Sequence, residues 1–250
     1  MQPYVKSRGV KGESMSIKVV LFDLDGTLLP MDQEVFVKTY FGLLAQKLTP
    51  HGYQAEQLIG AIWKGTAAMI KNDGTKTNEA AFWDKFAEIY GENARKDEPY
   101  FEEFYRQDFD KVQCACGYHP KAAETVRMVR EMGVRVALAT NPIFPAIATQ
   151  KRMAWAGLSP DDFELYTTYE NSCYCKPNPD YYRAILEKLG VFADECLMVG
   201  NDVREDMVTQ TLGMKVFLLT DCLINGEEKD ISVYPNGDFE ALAEYLRTVL

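Results

Sequence analysis

No apolar run in this 250-residue chain approaches the roughly 18 residues needed to cross a bilayer. The opening residues, Met1 to Ser16, lack the apolar stretch of a secretion signal, so the protein is expected in the cytosol. Positive charge is also short: 27 Lys and Arg stand against 37 Asp and Glu, a formal net charge of −10. Such a surface repels nucleic acid and anionic membrane and excludes both as partners. Only two histidines are present, His51 and His119; both flank Pro or Gly in predicted loops and neither is given a role. Six cysteines occur, but none in a Cys-x-x-Cys spacing. Without a secretion signal they are read as reduced thiols. The pairs Cys114/Cys116 and Cys173/Cys175 would make a zinc site only if they met, which spacing does not establish. There is no internal repeat and no low-complexity tract.

What is present is ordinary in bulk and unusual at one point. Hydrophobic residues make up 47% and charged residues 26%, as in soluble globular chains with a substantial core. The unusual point is Val19-Val20-Leu21-Phe22-Asp23-Leu24-Asp25-Gly26-Thr27-Leu28. The apolar run reads as a buried strand. Alternation along an extended chain then turns Asp23 and Asp25 the same way. Two like charges that close are costly unless a cation lies between them or one binds a proton. The string therefore points to a Mg²⁺ site and an aspartate nucleophile at a strand end.

Residues 33–112 read as almost wholly helical. Gln33–Leu48 carries Val35, Phe36, Tyr40, Leu43, Leu44 and Leu48 on one stripe, with Asp32 as N-cap. Gln54–Ile70 follows, then a turn at Asn72-Asp73-Gly74, a helix capped by Asn78, and a fourth helix from Pro99 to Phe109. Short loops between four helices predict a bundle. The texture then changes to strand–helix alternation. Helices are read at Pro120–Met132, Phe144–Ala156, Pro179–Leu189, Val203–Leu212 and Asp238–Leu250. Strands are read at Val134–Ala139, Phe163–Thr167, Cys196–Val199 and Lys215–Leu219. This alternation predicts a doubly wound α/β core with a parallel sheet. The helical bundle would be inserted after the first strand, with hinges at 29–32 and 112–119.

In open α/β sheets ligands sit at the carboxyl ends of the strands. Polar residues collect there: Asp23 after the first strand, Thr140-Asn141 after the second, Lys176-Pro177 after the third, and Gly200-Asn201-Asp202 with Asp206 after the fourth. In this order the motifs resemble those of the haloacid dehalogenase superfamily. That family carries Asp-x-Asp-x-Thr on the first strand, Ser or Thr on the second, a later Lys and an acidic fourth motif. Here these are Asp23-Leu-Asp25-Gly-Thr27, Thr140, Lys176 and Asp202 with Asp206. The long interval between Asp23 and Thr140 resembles the subgroup with an α-helical cap after the first motif. One departure is Asn201, where the family often has Asp directly after the Gly.

The resemblance implies a Rossmann-like core at 15–30 and 116–250 and a helical cap at 31–115, while the polar, patternless residues 1–14 read as a disordered extension or mis-assigned start. It implies Asp23 as nucleophile, Asp25 as general acid and base, and Thr140, Asn141 and Lys176 as phosphate binders. Mg²⁺ would be held by Asp23, Asp25, Asp202 and Asp206. Lys71 and Lys76, on the polar loop between two cap helices, would set specificity. The implied activity is Mg²⁺-dependent hydrolysis of a small phosphorylated metabolite by a monomer or homodimer. An acid at Asp25 favours a phosphatase over a dehalogenase, because an alkoxide leaving group needs a proton and a halide does not. The alternatives are a phosphomutase, a phosphonoacetaldehyde-hydrolase-like enzyme using a cap lysine, and a non-catalytic binding protein.

Overall fold

The computed structural model describes residues 16–250; the N-terminal extension expected over 1–14 lies outside them. The run ending at Phe22 forms β1 (Val19–Phe22), all four residues buried. Val20 and Phe22 join one apolar cluster and Val19 and Leu21 another, the period-two alternation of a strand covered on both faces. The chain then leaves the sheet for four helices: α1 (Gln33–Leu48), α2 (Ala55–Ile70), α3 (Asn78–Tyr90) and α4 (Glu98–Gln107). A 3₁₀ segment, Phe109–Ala115, leads back. The return follows α5 (Pro120–Glu131), β2 (Arg135–Leu138), α6 (Ala146–Trp155), β3 (Leu165–Tyr166), α7 (Pro179–Leu189), β4 (Cys196–Gly200), β5 (Lys215–Leu219), β6 (Asn236–Gly237) and α8 (Phe239–Val249).

The sheet has six parallel strands in the order β3-β2-β1-β4-β5-β6. The switch in connection direction falls at β1, between β2 and β4, which opens a crevice beyond its carboxyl end. Tyr181, Tyr182, Ile185 and Leu189 of α7 cover one face. Residues of α5, α6 and α8 cover the other, and their cluster runs without a break into the helical insertion through Leu24, Leu28, Phe36, Tyr40 and Leu44. Aromatic edges join the two parts: Phe36 and Tyr40 of α1 meet Phe144 at 6.2 and 5.4 Å, and Phe109 stacks on Trp155 at 5.2 Å. Each such pair adds about 0.5–1.5 kcal/mol beyond the area it buries. The two crossing segments run side by side, Gly117 N donating to Pro30 O at 2.7 Å and Met31 bridging Cys116.

Several elements depart from the sequence reading. α6 starts at Ala146, not Phe144, because Glu170 caps the Ala146 N–H at 2.8 Å and Pro145 takes an extended conformation. The strand read at Phe163–Thr167 shrinks to Leu165–Tyr166 at the sheet edge. The helix read at Val203–Leu212 is a carboxylate-wound turn followed by a 3₁₀ segment, Met207–Leu212. Asp202 Oδ1 accepts from the N–H groups of Arg204 and Glu205, and this local alternative displaces a helical start. Asn78 is not a cap. Thr77 caps α3, while the fully buried Asn78 donates through Nδ2 to Pro142 O at 3.1 Å and Tyr174 O at 3.2 Å, tying the insertion to the core. β6 has only two residues and no apolar pattern to announce it.

Candidate active site

Asp23 is the first residue beyond β1, and its N–H still donates to Val199 O at 2.9 Å. The chain must then turn sharply. Gly26 adopts φ +85°, and a Cβ there would collide with the amide of Asn201. Both facts demand glycine. The turn returns the Thr27 hydroxyl between Asp23 Oδ2 (3.0 Å) and Asn201 Oδ1 (2.9 Å), which share its one proton. Asn201 donates in turn to Cys222 O at 2.6 Å, so it is a brace for this loop.

Lys176, 2% exposed, reaches in from the loop before α7. Its Nζ donates to Asp23 Oδ1 and Asp206 Oδ1, both at 2.7 Å. Burial alone would lower its pKa, but the two carboxylates override that and hold the ammonium well above its ordinary value. Asp206 is raised by burial and spends its second oxygen on the Asp202 N–H. Through these two oxygens Asp206 ties Lys176 to the acidic loop. Thr140 is 1% exposed; its carbonyl is fixed by Thr167 Oγ1 at 2.7 Å and Tyr181 OH at 2.8 Å, and the residue lines the crevice. Asn141 Nδ2 donates to both Glu205 oxygens at 3.2 Å.

Asp23, Asp25, Thr140, Asn141, Asp202 and Asp206 all line one cavity of about 240 Å³ between the sheet ends and the helical insertion. Lys71 and Lys76 do not. Both are exposed, and Lys76 is held by Asp84 at 2.7 Å. Their loop packs instead on residues 172–175, where Asn78 N donates to Ser172 O at 2.8 Å and Gly74 closely approaches Tyr174. The six cysteines are free, and burial pushes Cys116 and Cys175 up to about 12.

Two further residues belong to this site and were not singled out in the sequence. Arg152 of α6, with no solvent exposure, donates through Nη1 to Asp25 Oδ2 while its guanidinium lies 4.5 Å from the Phe144 ring centre. It stands on the buried stripe of α6 with Ala148, Thr149 and Trp155, a position where a cation needs a partner. The polar run Gln150-Lys151-Arg152 concealed it. Burial raises the Asp25 pKa, Arg152 opposes, and Asp23 adds to the rise, leaving Asp25 a readier proton holder than a free carboxylate. The second residue is Glu205, a cavity-lining carboxylate whose pKa burial raises. Its signal was adjacency to Asp206 within the acidic loop.

Carboxylates thus crowd the cavity floor, while Lys176 and Arg152 are already paired. A phosphoryl group would be repelled without an added cation. Two buried oxygens on the wall, Asp25 Oδ1 and Asn141 Oδ1, lack a hydrogen-bond partner. No group of three His, Cys, Asp or Glu side chains among the described residues converges closely enough to hold a metal alone. Mg²⁺ takes one or two carboxylates and completes its shell with water and phosphate oxygens. The all-oxygen donor set at the cavity fits such an ion. No helix among the described residues is long and apolar enough to cross a membrane.

A family model described as haloacid dehalogenase-like hydrolase matches residues 17–208. A phosphoglycolate phosphatase of Vibrio parahaemolyticus is 26% identical over 241 residues, 93% of this chain and 96% of that protein. Two solved structures share the fold. A phosphatase of Thermococcus onnurineus aligns with TM-score 0.57 at 18% identity, covering 92% of this chain and 98% of that one. A 2-haloacid dehalogenase of Pseudomonas syringae aligns with TM-score 0.62 at 19% identity, covering 93% and 99%.

Proposed function

Because the chain belongs to the haloacid dehalogenase-like hydrolases, we propose that it is a Mg²⁺-dependent phosphatase that hydrolyses a small phosphorylated metabolite through an aspartyl-phosphate on Asp23. The helical insertion, residues 31–115, acts as a cap over a core made of 15–30 and 116–250. The observation that carries the proposal is the pairing of two unlike carboxylates in one cavity. Asp23 accepts a hydrogen bond from the buried Lys176 ammonium at 2.7 Å. Asp25 keeps one buried oxygen without a partner and has a raised pKa.

Asp23 needs no base to become a nucleophile. Its oxygen forms a bond to phosphorus as the bond to the leaving oxygen breaks. Asp25 gives that oxygen a proton, and the alcohol departs. Asp25, now ionised, takes a proton from water as the water oxygen attacks phosphorus. Inorganic phosphate forms and the Asp23 carboxylate is restored. Lys176 would stabilise charge on Asp23 and on the phosphoryl oxygens, and Thr140 and Asn141, which line the same cavity, would bind those oxygens. Asp23 and Asp202, with the backbone carbonyl of Asp25, would hold Mg²⁺, which would supply charge neutralisation for the incoming phosphate.

A phosphonoaldehyde hydrolase of the kind considered above needs a lysine in the cavity for an imine. Among the described residues lining it there is none, which favours the phosphatase. The test is acid quenching during turnover followed by peptide mapping. Phosphate on the Asp23 peptide, absent when Mg²⁺ is chelated, supports the proposal; phosphate on no peptide under any condition, with turnover proceeding, contradicts it.

A further inference from the structure

The cavity wall opposite the carboxylates is made by the helical insertion, and its chemistry is one-sided. Phe36, Phe41, Phe82, Trp83 and Phe101 present aromatic surface, with Trp63, 50% exposed, beside them. Among the described residues that line the cavity there is no Lys, Arg or His. The nearby cation, Arg152, is spent on Asp25. Among the wall hydroxyls, Glu79 and Glu170 act on Tyr169, while Arg152 acts on Tyr40 and Tyr105. The polar groups within the wall are neutral: the hydroxyls of Tyr40 and Tyr105, 2.7 Å apart, with Tyr169, Gln33 and Thr66.

A leaving group that carried its own carboxylate or second phosphate would enter a wall whose one nearby cation, Arg152, is already paired with Asp25, close to further carboxylates. Burying such a charge unpaired is strongly unfavourable. An aromatic ring meets the opposite situation, with ring faces and edges on several sides. Size agrees. An apolar void of about 150 Å³ accepts a benzene ring, and this cavity, near 240 Å³, leaves room beside the ring for a phosphoryl group.

Resting on the phosphatase reading, we propose that the substrate is the phosphate monoester of a neutral, aromatic or similarly bulky apolar alcohol. The ring lies among Phe36, Phe82, Trp83 and Phe101, and any hydroxyl on its far side meets the Tyr40–Tyr105 pair. Phosphorylated hydroxy acids such as phosphoglycolate, the substrate named for the Vibrio relative, are then poor substrates here.

The test compares benzyl phosphate, ethyl phosphate and 2-phosphoglycolate, three primary alkyl monoesters, by kcat/KM with Mg²⁺ present. Benzyl phosphate is expected to exceed both others by about tenfold or more. Trp83→Leu should narrow the benzyl-over-ethyl ratio, and Trp83→Phe, which keeps a ring, should retain most of it. A preference for 2-phosphoglycolate overturns the inference and leaves the phosphatase reading standing. Phosphate release from none of the three overturns the phosphatase reading itself. In that case calorimetric binding of benzylphosphonate against 3-phosphonopropionate still decides the pocket: tighter benzylphosphonate supports the inference, and equal or weaker binding overturns it.

Discussion

The guanidinium of Arg152 is fully buried and donates to Asp25 Oδ2, joining α6 to the loop that follows β1. This pair couples the proposed general acid to the wall that receives the leaving group, since the same guanidinium lies over Phe144.

Breaking that pair from one side should cost more than removing it whole. Asp25→Ala leaves an uncompensated cation at the centre of the molecule and should lower unfolding free energy by about 3–5 kcal/mol. Asp25→Ala with Arg152→Met should recover much of that loss. Chemical denaturation of both single variants and the double variant gives the coupling. Additive losses would mean the two residues do not interact.

Lys176 bridges Asp23 and Asp206 from a position almost without solvent. Lys176→Met puts two carboxylates face to face with nothing between them. Turnover should fall by about 10²-fold or more, in line with loss of one preorganised charge from an active site. Lys176→Arg should not restore it, because a planar fork cannot replace a compact ammonium between two oxygens. Steady-state kinetics on folded variants checks both.

Lys71 and Lys76 should be dispensable for catalysis. Each lies outside the cavity, and Lys76 serves Asp84. Alanine at either position should leave kcat/KM within about twofold, as expected for exposed side chains. The Asp84 carboxyl is held below its ordinary value by Lys76 and then Arg95, so its small stabilisation is present above the unfolded value of 3.8 and fades as pH falls further. In Lys76→Ala the acid side of the stability profile should flatten slightly. A marked loss of kcat/KM would return the loop to a role in recognition.

Gly26 is required by its positive φ and by Asn201 beneath it. Gly26→Ala should cost about 1–3 kcal/mol of strain and displace Thr27 from Asp23, lowering turnover with it. Thermal denaturation and kinetics on the same preparation test this together.

These contrasts show what the chain makes legible and what it hides. The Asp23–Thr27 string declares itself because its pattern changes abruptly, from a buried apolar run to two carboxylates and a glycine. The order of elements was readable for the same reason: apolar stripes with helical or strand period survive in each. Arg152 was hidden because its helix face is recognised only once Asp25 is known to oppose it, a contact between residues far apart in sequence. Asn78 looks locally like a cap and acts globally as a tie to Pro142 and Tyr174. The acidic loop misled the helix reading because Asp202 competes for N–H groups that a helix would use. The bond from Lys176 to Asp206 was equally out of reach of local spacing, because it joins two loops distant in sequence.

The most direct test of the account is phosphate release by wild-type protein and by Asp23→Asn, each with Mg²⁺ and with excess EDTA, on benzyl phosphate and a broader panel of phosphate monoesters. The account predicts release by the wild type with Mg²⁺, none with EDTA, and none from Asp23→Asn although its circular dichroism is unchanged. Release by folded Asp23→Asn near the wild-type rate would contradict it.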